Sequence, residues 1–470
     1  MGGMFRRKEI VLPEGRGRLS RTLSWPHLVA LGVGAIVGTG ILTLIGVGAD
    51  RAGPAVILSF AIAGAICACA ALAYAEMATM MPVSGSAYTY SYAVLGEVIA
   101  WVVGWSLLAE YTLVVATVAV GWSGYMVGFL SGLGIHLPGA LTHGPTLVDG
   151  AVSAWGINVP ALVIVAAVAA LLTLGTRESA TINAVLVVVK LIALAIFVAV
   201  ALPYFDGANL QPFSPFGFAK TMGSDGVERG VMAAAAIIFF AFYGFDAIST
   251  AAEEAKKPGR DLAIGIVGSM IACVAIYMVV AVAAVGALSF ARFADSPEPL
   301  ALILRELGRT GVATFLAASA VIALPTVILA FLYGQSRIFF VMARDGLLPD
   351  RLAKVSARGV PVRITVFTAA IVMLFAGFLP IDAIAALANA GTLTAFVAVA
   401  VCMLVMRRRA PDMARPFRTP AAWLVGLGAI GGCLYLFVSL PTRTQLWFLG
   451  WNLVGLAIYL LYARHRVSNA

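Results

Sequence analysis

Twelve long apolar stretches constrain the fold of this chain more than any other feature of its sequence. They lie approximately at 25–48, 54–80, 97–130, 158–175, 179–203, 228–255, 262–289, 311–341, 361–380, 382–406, 421–440 and 443–463. A transmembrane helix needs about 20 apolar residues to cross about 30 Å of hydrocarbon. Only 11% of the residues are charged, whereas soluble domains average about 25%. The sequence therefore predicts an all-α polytopic membrane protein with twelve transmembrane helices, here numbered spans 1 to 12, and excludes a soluble globular protein.

Positive charge is distributed unevenly between the loops. With the N-terminus inside, 23 of the 31 lysines and arginines fall at the inner side, seven at the outer side, and Lys190 lies within span 5. Inner loops of membrane proteins carry such an excess. We therefore expect cytoplasmic termini, formed by residues 1–24 and 464–470. Because membrane orientation explains the net charge of +9, we expect lipids and not nucleic acid as the charged partner.

Span 1 contains an unusual concentration of glycine. The segment GVGAIVGTGIL from Gly32 to Leu42 carries four glycines within nine residues, near the predicted middle of the membrane. Glycine disfavours a helix by about 1 kcal/mol relative to alanine, so the helix can unwind at Gly38, Thr39 and Gly40. Close helix packing through a GxxxG face is the alternative interpretation.

Span 6 contains a second interruption. Gly244 and the acidic Asp246 lie about seventeen residues into an otherwise apolar run. Irregular backbone at that depth must line a cavity or be buried in protein. Two interrupted helices in corresponding positions of two halves are typical of a transporter substrate site. Spans 1 and 6 are five apart, and a repeat with an odd number of spans is inverted in the membrane.

Four segments together resemble the amino acid-polyamine-organocation transporters, and among them the bacterial members of the cationic amino acid transporter-like branch. The segments are GAIVGTGI in span 1, AEMATMMPVSGSAYTY at Ala75–Tyr90, YGFDAISTAAEEAKKPGR at Tyr243–Arg260, and RIFFVMARDGLLP at Arg337–Pro349. They extend over the first ten spans. The resemblance implies a transporter and not an enzyme, located in a bacterial inner membrane.

The resemblance also implies a LeuT-type fold with two inverted repeats of five spans. The repeats occupy residues 25–203 and 228–406, and residues 421–463 add spans 11 and 12. The implied function is secondary active transport of an amino acid by alternating access. No cofactor or metal is expected, and the small-molecule substrate is the expected partner.

An amino acid inside the membrane needs partners for both of its charges, because an unpaired buried ion is costly. The free amides of Gly38, Thr39 and Gly40 begin a half-helix and suit the substrate carboxylate. By similarity, the substrate ammonium is bound by backbone carbonyls of both broken spans. These are the carbonyls of Ile36, Phe240, Ala241 and Tyr243, and the Phe240 ring is also the expected aromatic gate, unless it is a packing residue.

Lys190 lies about eleven residues into span 5, about 16 Å from its cytoplasmic end. That distance exceeds the reach of a lysine side chain, so snorkelling to the interface does not explain it. Burial disfavours the charged form of an amine. In proton-coupled relatives a span 5 lysine occupies the position of the sodium ion, so we interpret Lys190 as the proton-coupling group and do not expect sodium coupling.

Four acidic residues near these elements have open interpretations. Glu110, deep in span 3, is a protonated packing residue, a second proton site, or the anion that binds a cationic substrate side chain. Asp246 caps the second half-helix of span 6, or has a proton or gate role. Glu253 and Glu254 belong to a solvated face or to a gate at the cytoplasmic end of span 6. Glu76, in span 2, is interpreted as a structural partner of that face.

The sequence favours proton-coupled amino acid symport, with three alternatives. These are amino acid exchange, a cationic amino acid or polyamine carrier, and a non-transporting nutrient sensor. A channel is disfavoured because the spans show no continuous polar lining. Small residues at Gly40 and Ala241 favour small neutral amino acids, and Glu110 favours cationic ones as the second choice.

Overall fold

The computed structural model describes residues 7, 23–83, 85–148, 151–173, 180–349 and 362–463. Most of the predicted cytoplasmic segment 1–24 and the whole tail 464–470 lie outside these described residues.

α-Helices make up most of the described chain, because its long runs of Ala, Val, Leu and Ile leave backbone hydrogen bonding within the helix as the way to bury peptide groups in lipid. Their bounds are Trp25–Ile36, Thr39–Leu42, Leu44–Ala52, Val56–Met80, Ser86–Val94, Glu97–Gly132, Val159–Thr173, Ala180–Ala201, Val231–Ile238, Asp246–Thr250, Pro258–Ala287, Pro299–Glu306, Thr310–Arg344, Val362–Phe378, Ile381–Arg409, Ala422–Ser439 and Thr442–Ile458.

Two small antiparallel hairpins lie in the loops that follow spans 3 and 5. In one, Thr146–Val148 pairs with Ala151–Ala154, and in the other Thr221–Met222 pairs with Glu228–Arg229. The sequence analysis predicted neither hairpin. It also did not predict the helix Ser86–Val94 between spans 2 and 3, since the pattern there is too short to span a membrane.

The helices agree in position with the twelve predicted spans. Within the described residues, nine helical segments are long and apolar enough to cross a membrane, and three shorter apolar helices add to them. The short ones are Trp25–Ile36, Val159–Thr173 and Val362–Phe378. The chain is therefore a polytopic helical membrane protein.

The packing of the spans is close to symmetric under a shift of five. Span 1 packs against span 7, and the equivalent pair five spans later is span 6 with span 2. Span 3 packs against span 10, and the equivalent pair is span 8 with span 5. Spans 2 and 7, 3 and 8, and 4 and 9 pack directly against each other. Most of the main contacts of the first five spans thus have a counterpart in the next five.

Glu76 joins the C-terminal end of span 2 to the end of span 10 and the segment that follows it. Its carboxylate accepts hydrogen bonds from Arg407 Nε at 2.7 Å and Nη2 at 2.6 Å, and from the Thr419 amide at 2.9 Å. Arg415 Nε lies 3.3 Å from the same carboxylate. The prediction that Glu76 supports the charged face of span 6 is wrong, because the arginines that neutralise it come from elements more than 300 residues later in the chain.

Replacing Glu76 with Gln should destabilise the fold strongly. The Glu76 side chain is 1% exposed, and those of Arg407 and Arg415 are 14% and 6% exposed. Removing one partner of a buried ion pair costs about 3–5 kcal/mol, so the melting temperature in detergent should fall by several degrees. Asp412→Asn in the exposed part of the same loop is the control. A Glu76→Gln protein that melts like the wild type would contradict this assignment.

Candidate substrate and coupling site

The first helix is broken near the middle of span 1. Trp25–Ile36 ends at Val37, whose extended backbone separates it from the short helix Thr39–Leu42. We predicted unwinding at Gly38, Thr39 and Gly40. The structure corrects the extent, since only Val37 and Gly38 are non-helical, and Thr39 and Gly40 form the first turn of the next helix. That turn still begins with amides that lack partners within the helix.

The carbonyl of Ile36, one of the predicted ammonium acceptors, lies at this break. Tyr277 of span 7 donates its hydroxyl to it at 2.8 Å. The tyrosine therefore satisfies one lone pair of a carbonyl that the broken helix leaves exposed. Sequence reasoning missed Tyr277, because one tyrosine in an apolar run is more often a core residue, and the two residues are 241 positions apart.

Span 6 is broken between Phe242 and Phe245. Val231–Ile238 continues into a 3₁₀ turn at Phe239–Ala241, and the chain resumes a helix at Asp246. Gly244 has φ of +119°, a conformation that favours glycine. Within the described chain the carbonyls of Phe240, Ala241 and Tyr243 accept no backbone hydrogen bond.

The two breaks lie in contact. A Cβ atom added to Gly40 would lie 2.3 Å from Ala241 Cα, and one added to Gly244 would lie 3.0 Å from the Ala35 carbonyl carbon. Thr39 packs against Gly121 of span 3 in the same way. The structure thus brings together the predicted residues of spans 1 and 6 at one level of the bundle, with span 3 beside them.

Aromatic rings cover one side of this contact. Phe240, 6% exposed, packs edge-on against Tyr243 with ring centroids 4.9 Å apart. The ring centroid of Tyr243 lies 6.5 Å from that of Phe331 in span 8, and the centroid of Phe331 lies 5.2 Å from that of Tyr111 in span 3. The aromatic cluster is formed by these four rings. Phe240 lies at its end nearest to Gly40 and Ala241.

Lys190 lies between the broken span 1 and span 8. The residue is buried, with 4% of its surface exposed. Its Nζ donates to the Gly34 carbonyl at 3.1 Å and to Thr326 Oγ1 at 3.4 Å. Gly34 lies in the last turn before the break. The amine therefore joins span 5 to the end of the first half-helix of span 1.

Pro325 shapes span 8 next to this lysine. A proline inside a helix leaves the carbonyl four residues earlier without its amide donor. That carbonyl belongs to Val321, and Trp122 of span 3 donates its Nε1 to it at 2.8 Å. Thr326 follows the proline directly. Neither Trp122 nor Thr326 was singled out from the sequence.

Glu110 and Asp246 form an acidic pair beside the aromatic cluster. Glu110 is 1% exposed, and neither carboxylate oxygen has a hydrogen-bond partner among the described residues. Asp246 is 2% exposed; it accepts the Gly244 amide at 3.1 Å and lies 3.5 Å from the Tyr111 hydroxyl. The Asp246 carboxylate thus closes the turn at which span 6 is broken. The predicted cap is wrong in its position, because Asp246 is the first residue of the half-helix and its carboxylate binds the amide of Gly244, which precedes that helix.

The C-terminal end of span 6 is joined to the residues before span 1. The Leu23 amide donates to the Glu254 carbonyl at 3.0 Å, and the Lys256 amide donates to the Leu23 carbonyl at 2.8 Å. Glu254 therefore contributes its backbone to this two-strand contact. Nothing is described for the Glu253 side chain, so its predicted gate role lies outside the described residues.

Two broken helices in contact, with a buried amine bonded to one of them, define a class of protein: a helical membrane transporter. The sequence model of the amino acid permease family matches residues 23–462. The chain is 44% identical to the branched-chain amino acid permease BcaP of Bacillus subtilis over 98% of both chains. It is 38% identical to the methylthioribose transporter of the same organism over the whole of both chains, and 35% identical to the vacuolar cationic amino acid transporter 4 of Arabidopsis thaliana over 88% of this chain and 68% of that one.

The chain belongs to the amino acid permease family. This confirms the resemblance drawn from the motifs in spans 1, 2, 6 and 8. Family membership together with the apolar helices makes it a multi-pass membrane protein of the bacterial inner membrane, and a transporter rather than an enzyme.

Proposed function

We propose that this protein takes up neutral amino acids by proton symport. The observation that carries the coupling is the hydrogen bond from Lys190 to the Gly34 carbonyl, at the end of the first half-helix of span 1. Protonated Lys190 holds span 1 through this bond and the one to Thr326. Loss of the proton removes the positive charge that strengthens these hydrogen bonds, releases span 1 and favours the other access state of the carrier.

We infer that the fold is of the LeuT type, with twelve transmembrane helices and cytoplasmic termini. The units are an N-terminal segment 1–24, inverted repeats at 25–203 and 228–406, two further spans at 421–463, and a tail at 464–470. Support comes from the breaks in spans 1 and 6 and from the packing that repeats under a shift of five spans. The excess of arginine and lysine at one side supports the orientation.

The proposed substrate site lies where the two breaks meet. The amides of Gly38, Thr39 and Gly40 bind the substrate carboxylate, and carbonyls of both breaks bind its ammonium. Of these acceptors, Phe240, Ala241 and Tyr243 have carbonyls open to a ligand, while Ile36 shares its carbonyl with Tyr277. The Phe240 ring covers the substrate.

The proposed substrate class is neutral, because the space between the breaks is limited by small uncharged residues. Gly40 and Ala241 are in contact, and neither carries a charged group that could pair with a cationic substrate side chain. The BcaP relative is named for branched-chain amino acids. Leucine therefore joins alanine as a test substrate.

Uptake into proteoliposomes tests this function. Labelled leucine or alanine should accumulate when an inward proton gradient is imposed and not without it. A gradient of one pH unit corresponds to about 1.4 kcal/mol per proton, or about tenfold accumulation. Entry only into vesicles preloaded with amino acid would support exchange instead, and Lys190 would then be a structural tether. Uptake of labelled methylthioribose, with no uptake of labelled leucine or alanine, would contradict an amino acid substrate.

A cationic amino acid carrier is the second candidate, because Glu110 has no hydrogen-bond partner among the described residues. If Glu110 binds a cationic side chain, Glu110→Gln should weaken competition by arginine by more than about tenfold, since removing one partner of a buried charge pair costs about 2 kcal/mol or more. Competition by leucine should stay unchanged. Equal inhibition constants for arginine in the two proteins would remove this role from Glu110.

A further inference from the structure

An open pocket rich in arginine lies at the junction of spans 10 and 11. It has a volume of about 520 Å³, and its lining includes Arg407, Arg418, Thr419, Ala422 and Trp423. None of these residues belongs to the substrate site proposed above. From this pocket we infer a binding site for the headgroup of an anionic phospholipid, a phosphate diester.

The charge around the pocket is strongly positive. The segment 407–423 contains five arginines and a single acidic residue, Asp412. Arg407 and Arg415 are neutralised by Glu76. Arg418 is exposed and has no ion-pair partner among the described residues. A guanidinium with free donors binds the oxygens of a phosphate well.

The helix of span 11 begins in the same pocket. The amides of Ala422, Trp423 and Leu424 precede the first helical hydrogen bond, in which the Val425 amide donates to the Ala421 carbonyl at 3.0 Å. Such a helix end favours an anion. Here the helix end adds its amide donors to the positive charge of the arginines. The amides alone would not define a binding site.

The surroundings of the pocket favour a lipid over a free anion. Trp423 is 45% exposed, with the Arg408 guanidinium 4.6 Å from its ring centroid, and tryptophan is enriched at the membrane interface. Further along span 11, Leu424 and Leu427 are 76% and 58% exposed. A headgroup among the arginines would therefore place its acyl chains on exposed leucines of the same helix.

Native mass spectrometry of the full-length protein tests the site, with phosphatidylglycerol and phosphatidylcholine as probes. The wild type should retain one phosphatidylglycerol more tightly than phosphatidylcholine. Arg418→Gln should weaken that binding about fivefold, as expected for one cation near a phosphate, and Arg418→Lys should restore most of it. Arg443→Gln, an exposed arginine at the start of span 12, is the matched control and should bind like the wild type.

Three results would overturn the inference. Equal retention of the two lipids would show that the pocket does not distinguish an anionic headgroup from a zwitterionic one. The same loss in Arg418→Gln and Arg443→Gln would reduce the effect to overall charge. Displacement of phosphatidylglycerol by millimolar inorganic phosphate would identify a site for a free anion. Arg418 is exposed and forms no buried pair, so its replacement should leave the fold intact.

Discussion

Lys190→Met is expected to abolish accumulation driven by a proton gradient while preserving exchange. The methionine fills a similar volume but can neither donate to the Gly34 carbonyl nor carry a proton. With one proton per substrate, a gradient of one pH unit gives about tenfold accumulation in the wild type, and the variant should show none. Labelled leucine uptake into vesicles with an imposed gradient, and into preloaded vesicles, measures the two activities separately.

The control for this variant is Lys220→Met. Lys220 lies in the loop before span 6, where it contacts Glu228 and the Leu440 carbonyl and not the residues of the two breaks. The Lys220→Met variant should accumulate leucine like the wild type. Undiminished gradient-driven accumulation by Lys190→Met would contradict the coupling role of Lys190. Loss of both accumulation and exchange would indicate that Lys190 is needed for the structure of span 1.

Gly40→Ala should reduce transport by at least about tenfold. The added Cβ would lie 2.3 Å from Ala241 Cα and 3.1 Å from its amide nitrogen, and backbone cannot move aside as a flexible side chain can. Overpacking of this kind costs about 1–3 kcal/mol, here by separating the two breaks. The initial rate of leucine uptake, normalised to the amount of protein in the vesicles, gives the effect.

Gly431→Ala provides the comparison for that substitution. A Cβ at Gly431 in span 11 meets no atom within 4 Å, so the variant should transport at the wild-type rate. Wild-type transport by Gly40→Ala would show that spans 1 and 6 need not approach each other closely during the cycle. Yield and elution volume of the purified proteins separate a transport defect from misfolding.

Features that depend on local sequence were predicted well. The apolar runs predicted the positions of the helices, and glycine with a nearby carboxylate predicted a break around Gly244. The exact extent of the first break was wrong, because Thr39 and Gly40 can form a helical turn as soon as span 6 packs against them. The family assignment rested on motif order and is confirmed.

Contacts between distant elements were not predictable in the same way. Tyr277 bonds to Ile36 across 241 positions, and Arg407 bonds to Glu76 across 331. A single tyrosine or arginine carries no periodicity that would point to its partner. The helix Pro299–Glu306 between spans 7 and 8 was missed because it is too short to resemble a span.

The short backbone contact at Leu23 has a mechanical consequence. Two hydrogen bonds, to Glu254 and from Lys256, tie the start of span 1 to the end of span 6, and at the membrane level Gly40 and Ala241 already touch. Because they are joined at two levels of the bundle, the broken spans 1 and 6 should move together as one rigid unit. A displacement of either span is then transmitted to both, so a change at Lys190, which bonds to the first half-helix of span 1, would also move span 6.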